Sequence, residues 1–477
     1  MKNLQLFPQN LSRGVRMLTL ALLAVSLAVC AQAKTVTFVY DFHASGQQGS
    51  ALSVIQGTDG NLYGAAAGGA YNQGQIFRMT PTGELTTIYS FCSQANCTDG
   101  EEQEPMPILG SDGNLYGVAT FGGNATGSGT FYKLTLAGQF TKLYTFCSAP
   151  GCADGQWPHG FIQGRDGNFY GTTESGGANN SGALYQLSPS GGFKVLYSFC
   201  SLPKCIDGGA SNIIQGIDGK FYGTAGTGTL GGGYLYQITS DGSFNMLYNF
   251  CLYTNVDCTS GSYPSPIVQD AKGNFFGTTA YGGPNGGGTV FEITPKYQFH
   301  LLHGFRVHKH QASDPIFGIT LANDGNFYGT SADYGYDGGR LFEVTPKGVY
   351  TELYSFQCCY DPFWEPPFQA TNGLLYGTTL YGPGTCCYGT IFSLDNGISP
   401  LVETVPVAGK VGKRVIILGN GLTGSTSVRF NGVAATFTVE SDTYIKATVP
   451  AGATTGTVSV VTPAGTLNSN PQFVVTK

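Results

Sequence analysis

Asp112-Gly-Asn-Leu-Tyr-Gly117 is the stretch that decides the fold, because the same phrase returns along the chain with small edits. It recurs as Asp59 to Gly64, Asp166 to Gly171, Asp218 to Gly223, Lys272 to Gly277, Asp324 to Gly329 and Asn372 to Gly377. The glycine in its second place falls at 60, 113, 167, 219, 273, 325 and 373, a spacing of 48 to 54 residues. A fixed period of that size marks one supersecondary unit per repeat.

Residues 107 to 147 show what the unit is. Pro107 to Gly110 reads as a short strand, Ser111-Asp-Gly113 as a hairpin turn, and Asn114 to Phe121 as a second strand. A glycine-rich loop from Gly122 to Gly129 leads to a third strand, Thr130 to Thr135, and a fourth, Gln139 to Phe146, which ends at Cys147. Four antiparallel strands per repeat predict an all-β, seven-bladed β-propeller. In Leu115-Tyr-Gly117 both strand faces carry apolar or small residues, so both are expected to be buried, with the glycine letting a neighbouring sheet approach closely.

The chain ends predict a latch. The last repeat stops at Asp395-Asn-Gly397 without a Tyr-x-Phe strand, and Thr35 to Phe42 supplies a strand of that type ahead of the first full repeat. An N-terminal strand that completes the last blade closes a ring, which an open solenoid would not need. This arrangement sends the glycine loops and the loops after each fourth strand to one face, and the Asp-Gly-Asn turns to the other.

Residues 1–33 read as a secretory signal: Lys2, Arg13 and Arg16 precede an apolar run from Met17 to Val29, and Ala31-Gln-Ala33 offers small residues for cleavage. The run is too short to span a bilayer, which takes about 20 residues, so an exported protein without a transmembrane segment is expected, extracellular, on the cell surface or in the periplasm. Losing those three cations takes the formal charge from −6 to −9. That balance argues against nucleic acid, whose phosphates call for clustered Lys and Arg.

Twelve cysteines follow the leader, and an even number in an exported chain predicts disulfides. Cys92 with Cys97, Cys147 with Cys152, Cys200 with Cys205 and Cys251 with Cys258 are local pairs, each after a Tyr-x-Phe strand end. Cys358-Cys359 and Cys386-Cys387 are expected side by side, cross-linking the last blade to its neighbour with their pairing left open. A lone Cys-x4-Cys per repeat offers too few ligands for zinc, so neither metal nor cofactor is expected.

From residue 398 the period is lost, and short alternating strands suggest a small β-sandwich over 398–477, with 34–397 as the propeller. The tail resembles an IPT/TIG domain, an immunoglobulin-like module, in Ile417-Leu-Gly-Asn-Gly421, Val428-Arg-Phe-Asn-Gly432, Val449-Pro-Ala-Gly452 and Thr455-Gly-Thr-Val-Ser-Val460. That resemblance implies a spacer or adhesion module. Residues 35 to 397 resemble the GloVer-type extracellular tandem repeat, most fully in Gly273-Asn-Phe-Phe-Gly-Thr-Thr279, Gly282-Gly283 and Gly288-Thr-Val-Phe291. This second likeness implies an exported, surface-associated protein and brings no catalytic residues.

Two other patterns invite chemistry. Gly226-Thr-Gly-Thr-Leu-Gly231 fits the dinucleotide phrase but has no helix after it. Of His300, His303, His308 and His310, His303 takes the place of a strand tyrosine and is expected to pack there; the others read as surface residues.

The candidate ligand-binding residues are those of the cysteine-side face that depart from the repeat. Asp154, Trp157 and His159 lie in one connection, Trp364 and Glu365 in another, and Tyr334 and Asp337 in a glycine loop. Exposed aromatics beside carboxylates suit stacking on sugar rings and hydrogen bonding to hydroxyls, while indoles that plug their own loops are the competing reading. The expected function is a monomeric, non-enzymatic binding or adhesion protein, with polysaccharide or another surface protein as partner. The alternative is a polysaccharide-degrading enzyme. A hydrolase would draw its carboxylates from Glu101, Asp154, Asp337 and Glu365, and a lyase would set His159 or Tyr334 near Arg340.

Overall fold

Where the recurring phrase leads with an aspartate it folds as a tight turn because that carboxylate binds the turn from inside; Asp270 and the amide oxygen of Asn372 take this part in the two copies that do not. In the second repeat Asp112 accepts the Asn114 backbone N–H at 3.1 Å, the Asn114 amide at 2.9 Å and the Tyr116 hydroxyl at 3.0 Å. The same three bonds recur around Asp59, Asp166 and Asp324. Gly113 between them sits at φ 79°, a conformation that glycine alone adopts freely. The computed structural model describes residues 34–42, 49–101, 107–209, 212–226, 231–251, 258–307, 313–332, 338–356, 365–379 and 389–476. The leader, Tyr334, Asp337, Trp364 and the four cysteines of the Cys358-Cys359 and Cys386-Cys387 pairs lie outside those residues, as do His308 and His310.

The turns join antiparallel strands in sheets of one pattern. In the second repeat the order is Ile108–Leu109, Leu115–Ala119, Thr130–Leu134 and Phe140–Thr145. The second strand is buried along its whole length, as expected for a sheet covered on both faces. The glycine within it has a different reason from the one its sequence suggests. A Cβ on Gly117 would collide with the ring of Tyr132, its cross-strand partner in the same sheet. Gly171 with Tyr185, Gly223 with Tyr236 and Gly377 with Phe392 repeat this. The glycine therefore makes room for an aromatic ring laid across its own sheet.

Successive sheets pack through the aromatic residue of the phrase. Tyr116 meets Phe169 of the next sheet at 4.3 Å between ring centroids, Tyr170 meets Phe221 at 4.3 Å, and Phe276 meets Phe327 at 4.4 Å. A second contact joins outer strands: Tyr144 stacks on Phe193 at 4.2 Å, and His303, in the tyrosine position, stacks on Tyr350 at 4.4 Å. Burial holds the His303 imidazole below its ordinary pKa. An apolar cluster lies between each sheet and the next, and one of them unites Val54, Phe77 and Met79 of the first repeat with Tyr376 and Ile391 of the last.

A glutamine at the end of the innermost strand adds a polar link between sheets. Gln163 accepts the Ser111 N–H at 2.8 Å, Gln215 that of Arg165 at 2.9 Å, and Gln269 that of Ile217 at 2.8 Å. Gln56 accepts the Thr371 N–H at 2.9 Å in the same manner, from first repeat to last. The N-terminal strand Thr35–Asp41 pairs antiparallel with Thr390–Asp395, matching Val36 to Leu394 and Phe38 to Phe392, and so becomes the outer strand of the last repeat's sheet.

The C-terminal module is a sandwich. One sheet runs Glu403–Val405, Arg414–Leu418, Tyr444–Thr448, Phe437–Ser441, and the other Val433–Ala434, Ser427–Phe430, Val458–Thr462, Gly465–Asn468. Val415, Ile417, Val428, Phe430, Ile445 and Val460 fill its core. The module rests on the turn side of the repeat sheets. Thr443 donates its hydroxyl to the Thr58 carbonyl at 2.9 Å, Asn420 its amide to the Thr371 hydroxyl at 2.6 Å, and Asn470 its amide to the Leu321 carbonyl at 3.2 Å.

Candidate functional site

With the turn side occupied by the C-terminal module, the opposite ends of the sheets carry the loops that differ between repeats. The cysteine loops are built by one design. Disulfides join Cys92 to Cys97, Cys147 to Cys152, Cys200 to Cys205 and Cys251 to Cys258. Each of the first two loops also bonds to the glycine loop of the following sheet, through Gly123 N–H to Cys97 O and Gly177 N–H to Cys152 O, both at 2.9 Å. Glycine loops and cysteine loops thus share a side, as their order in the repeat implies. Cys92, Cys97 and Glu101 cluster within 4.8 Å, but sulfurs bonded to each other are not the thiolates a metal ion takes.

Asp154 belongs to this loop design. It is 5% exposed, and its carboxylate accepts the Tyr144 hydroxyl at 2.6 Å and the N–H groups of Ser148 and Ala149 at 2.8 and 3.1 Å. Asp99 and Asp207 make the same bonds in their own loops. The signal was in the sequence: each aspartate stands two residues after the second cysteine and before a glycine. Asp154 is a repeat residue that holds a loop, which corrects its place among residues that depart from the repeat.

Trp157 is half-buried at the start of the strand Gln156–Gln163, with its backbone at φ 57°. Its N–H reaches the Ser128 carbonyl at 3.0 Å, and its indole nitrogen donates to the Gly127 carbonyl at 3.2 Å, so the ring lies across the preceding sheet's glycine loop. Tyr263, which the sequence reading passed over, occupies the same position in a later repeat. It too precedes a proline, sits at φ 57°, and bonds through its N–H to the preceding glycine loop at Gly232, 2.8 Å away. Its ring packs edge-on to Tyr281 at 5.7 Å and keeps 41% of its surface exposed. The alignment of Trp157-Pro158 with Tyr263-Pro264 was the available clue.

Asp314-Pro315 is the third member, at φ 50°, with its N–H on the Gly287 carbonyl at 3.0 Å. The Asp314 side chain is buried, and one carboxylate oxygen has no hydrogen-bond partner among the described residues. Burial pushes its pKa up to about 6. A left-handed backbone is costly for residues of this bulk, by about 1–3 kcal/mol, and such outliers gather at functional sites.

His159 pairs with Glu174 at 3.2 Å, both side chains open to solvent. Glu365 begins the described segment that leads into the last repeat's inner strand and adjoins Leu52 and Val54 of the first. Arg340, the cation named for a lyase, is 5% exposed and donates to the Gly338 carbonyl at 3.2 Å, with Glu352 at 3.5 Å. It is therefore a buried structural cation. Among the described residues no helix is long and apolar enough to cross a membrane.

The family described as the Gloeobacter/Verrucomicrobia repeat matches residues 28–211 and 209–431, and the IPT/TIG domain matches 397–475. No curated protein matches the chain. Among solved structures, the extracellular domain of a hybrid two-component system from B. thetaiotaomicron is similar at 10% identity and a TM-score of 0.52, over 92% of this chain and 58% of that one. The chain thus spans somewhat over half the length of that relative. A puromycin hydrolase (11% identity, TM-score 0.45, 72% of this chain and 52% of that one) and an ulvan lyase of the polysaccharide lyases (11%, 0.43, 72% and 93%) are also similar. At 10% identity the first of these likenesses speaks to fold alone, and the two with TM-scores below 0.5 add nothing to it. The four disulfides agree with an exported protein.

Proposed function

The chain belongs to the Gloeobacter/Verrucomicrobia repeat family, and from that premise we propose that it is an exported, non-enzymatic binding or adhesion protein that recognises polysaccharide through the cysteine-loop side of a closed, seven-bladed propeller. The N-terminal strand latches the ring, and the C-terminal IPT/TIG module serves as its spacer and as the cover of its turn side.

One observation carries the reading. The module takes up the turn side, while Trp157 and Tyr263 stand at one strained repeat position on the other side, each ring laid over a glycine loop. Aromatic faces held by their backbone offer flat stacking surfaces at low entropic cost. His159, two residues along the same strand from Trp157, adds with Glu174 solvent-open hydrogen-bonding groups. Trp364, Glu365, Tyr334 and Asp337 complete the proposed ligand set, and Asp154 supports it from behind as a loop staple.

The test is a glycan array run beside a depolymerisation screen, on the wild type and on Trp157→Ala and Tyr263→Ala. Binding without depolymerisation, weakened at least about ten-fold in either variant while melting is unchanged, is expected. Release of shorter products by the wild type would overturn the non-enzymatic reading in favour of a degrading enzyme. Unchanged binding in both variants would remove the aromatic platform.

A further inference from the structure

Where the innermost strands meet the C-terminal module, they enclose a chamber of about 390 Å³ that is not sealed from its surroundings. Its wall repeats one position from sheet to sheet: Ile55, Ile108, Ile162, Ile214 and Phe368, each directly before the strand-end glutamine or leucine. The module supplies the floor with Val405, Pro406 and Leu418. Strand alternation puts Glu403 on the same sheet face as Val405, and Val405 packs with Ile416, Leu418 and Leu109 toward the repeats. The Glu403 carboxylate therefore enters an aliphatic chamber.

Arg165 is the other ionisable side chain on the lining, and its guanidinium is engaged with the Gly216 and Ile217 carbonyls at 2.6 and 3.1 Å. Gln163 and Gln215 are engaged with turns of the repeat. Glu403 has no hydrogen-bond or ion-pair partner among the described residues, and it is half-buried in the chamber wall. A lone carboxylate in such a place is costly unless something pairs with it. Aliphatic walls with one convergent polar group, at this volume, are the make-up of a small-molecule site.

We propose that this chamber binds a small organic cation, an amine with a compact apolar body whose ammonium pairs with Glu403. The walls offer no set of donors for a sugar chain, so this site is separate from the polysaccharide surface and does not depend on it. Burial pushes the Glu403 carboxyl up to about 7. A bound ammonium favours the ionised form, so binding below that pH releases a proton and tightens as pH rises.

Phenethylamine is the probe, titrated calorimetrically into the purified protein. Saturable binding is expected, with affinity rising on the order of 50- to 100-fold from about pH 5 to pH 8 and a proton released at the lower pH. Glu403→Gln should weaken it at least about ten-fold while the protein still melts cooperatively. Ile162→Trp, which fills the chamber without touching the charge, should abolish it. Absence of saturable binding, an unchanged affinity in Glu403→Gln, binding retained in Ile162→Trp, or no proton release would each overturn the proposal.

Discussion

The side-chain oxygen of Gln56 accepts the backbone N–H of Thr371 at 2.9 Å, across 315 residues of chain, with both groups buried. The bond repeats the one Gln163 makes to Ser111 between adjacent repeats, and so treats the first repeat as the neighbour of the last. Replacing Gln56 by alanine leaves the Thr371 donor buried without an acceptor, at a cost of about 1–3 kcal/mol. Gln163→Ala should cost less, because the Ser111 N–H it strands is exposed and water can take the acceptor's place. A thermal melt lowered by Gln163→Ala and unmoved by Gln56→Ala would count against contact between first and last repeats in solution.

The Thr35–Asp41 strand gives the last repeat its outer strand and places Phe38 beside Tyr354 at 6.3 Å. Without it, Thr390–Asp395 becomes an unpaired edge, and the Phe42 side of the cluster that joins first and last repeats is weakened. A chain starting at residue 43 is expected to melt at least about 5 °C lower, from the loss of several kcal/mol, and to aggregate faster. An unchanged melting temperature would show that the strand is dispensable.

Asp154 separates a structural from a ligand-binding role. Asp154→Ala strands the Tyr144 hydroxyl and the N–H groups of Ser148 and Ala149, for an expected loss of about 2–4 kcal/mol in urea unfolding. Asp99→Ala and Asp207→Ala should match it, because they remove the same bonds from sister loops. Glycan binding reduced in Asp154→Ala with no loss of stability would point instead to direct contact with ligand.

Asp314 makes stability depend on pH. Its carboxyl is held near 6 in the folded protein, above the unfolded value of about 3.9, so its neutral form contributes fully below about pH 4 and that contribution is lost as pH rises through 6. Asp314→Asn should therefore be more stable than wild type at pH 8, by at most about 3 kcal/mol, with the gap closing toward pH 4. Denaturant titrations of the two proteins across this range check the sign. A gap that widens on acidification would mean that the carboxylate has a charged partner.

Much of the fold could be read from the period. Asp-Gly-Asn, the aromatic and the glycine act through neighbours a few residues away or across one strand pair, and their recurrence told turn from strand. The reading failed where the partner is set by register: Gly117 clears room for Tyr132, and nothing in the linear spacing says that the ring crosses its own sheet. Candidate-site residues fared differently for a related reason. Trp157 stood out as a rare residue type, whereas Tyr263 was one tyrosine among 28 and became notable only through its backbone conformation and its proline.

By itself the sequence determined the repeat, its four strands, the local disulfides and the separate character of the tail, because each rests on short-range bonding or on spacing within one unit. Only the tertiary structure decided that the tail rests on the turn side, through Thr443 on Thr58 and Asn420 on Thr371, and that Glu403 enters an aliphatic chamber. Docking of that kind depends on surface complementarity between residues hundreds of positions apart. No period records it, since each contact is made once.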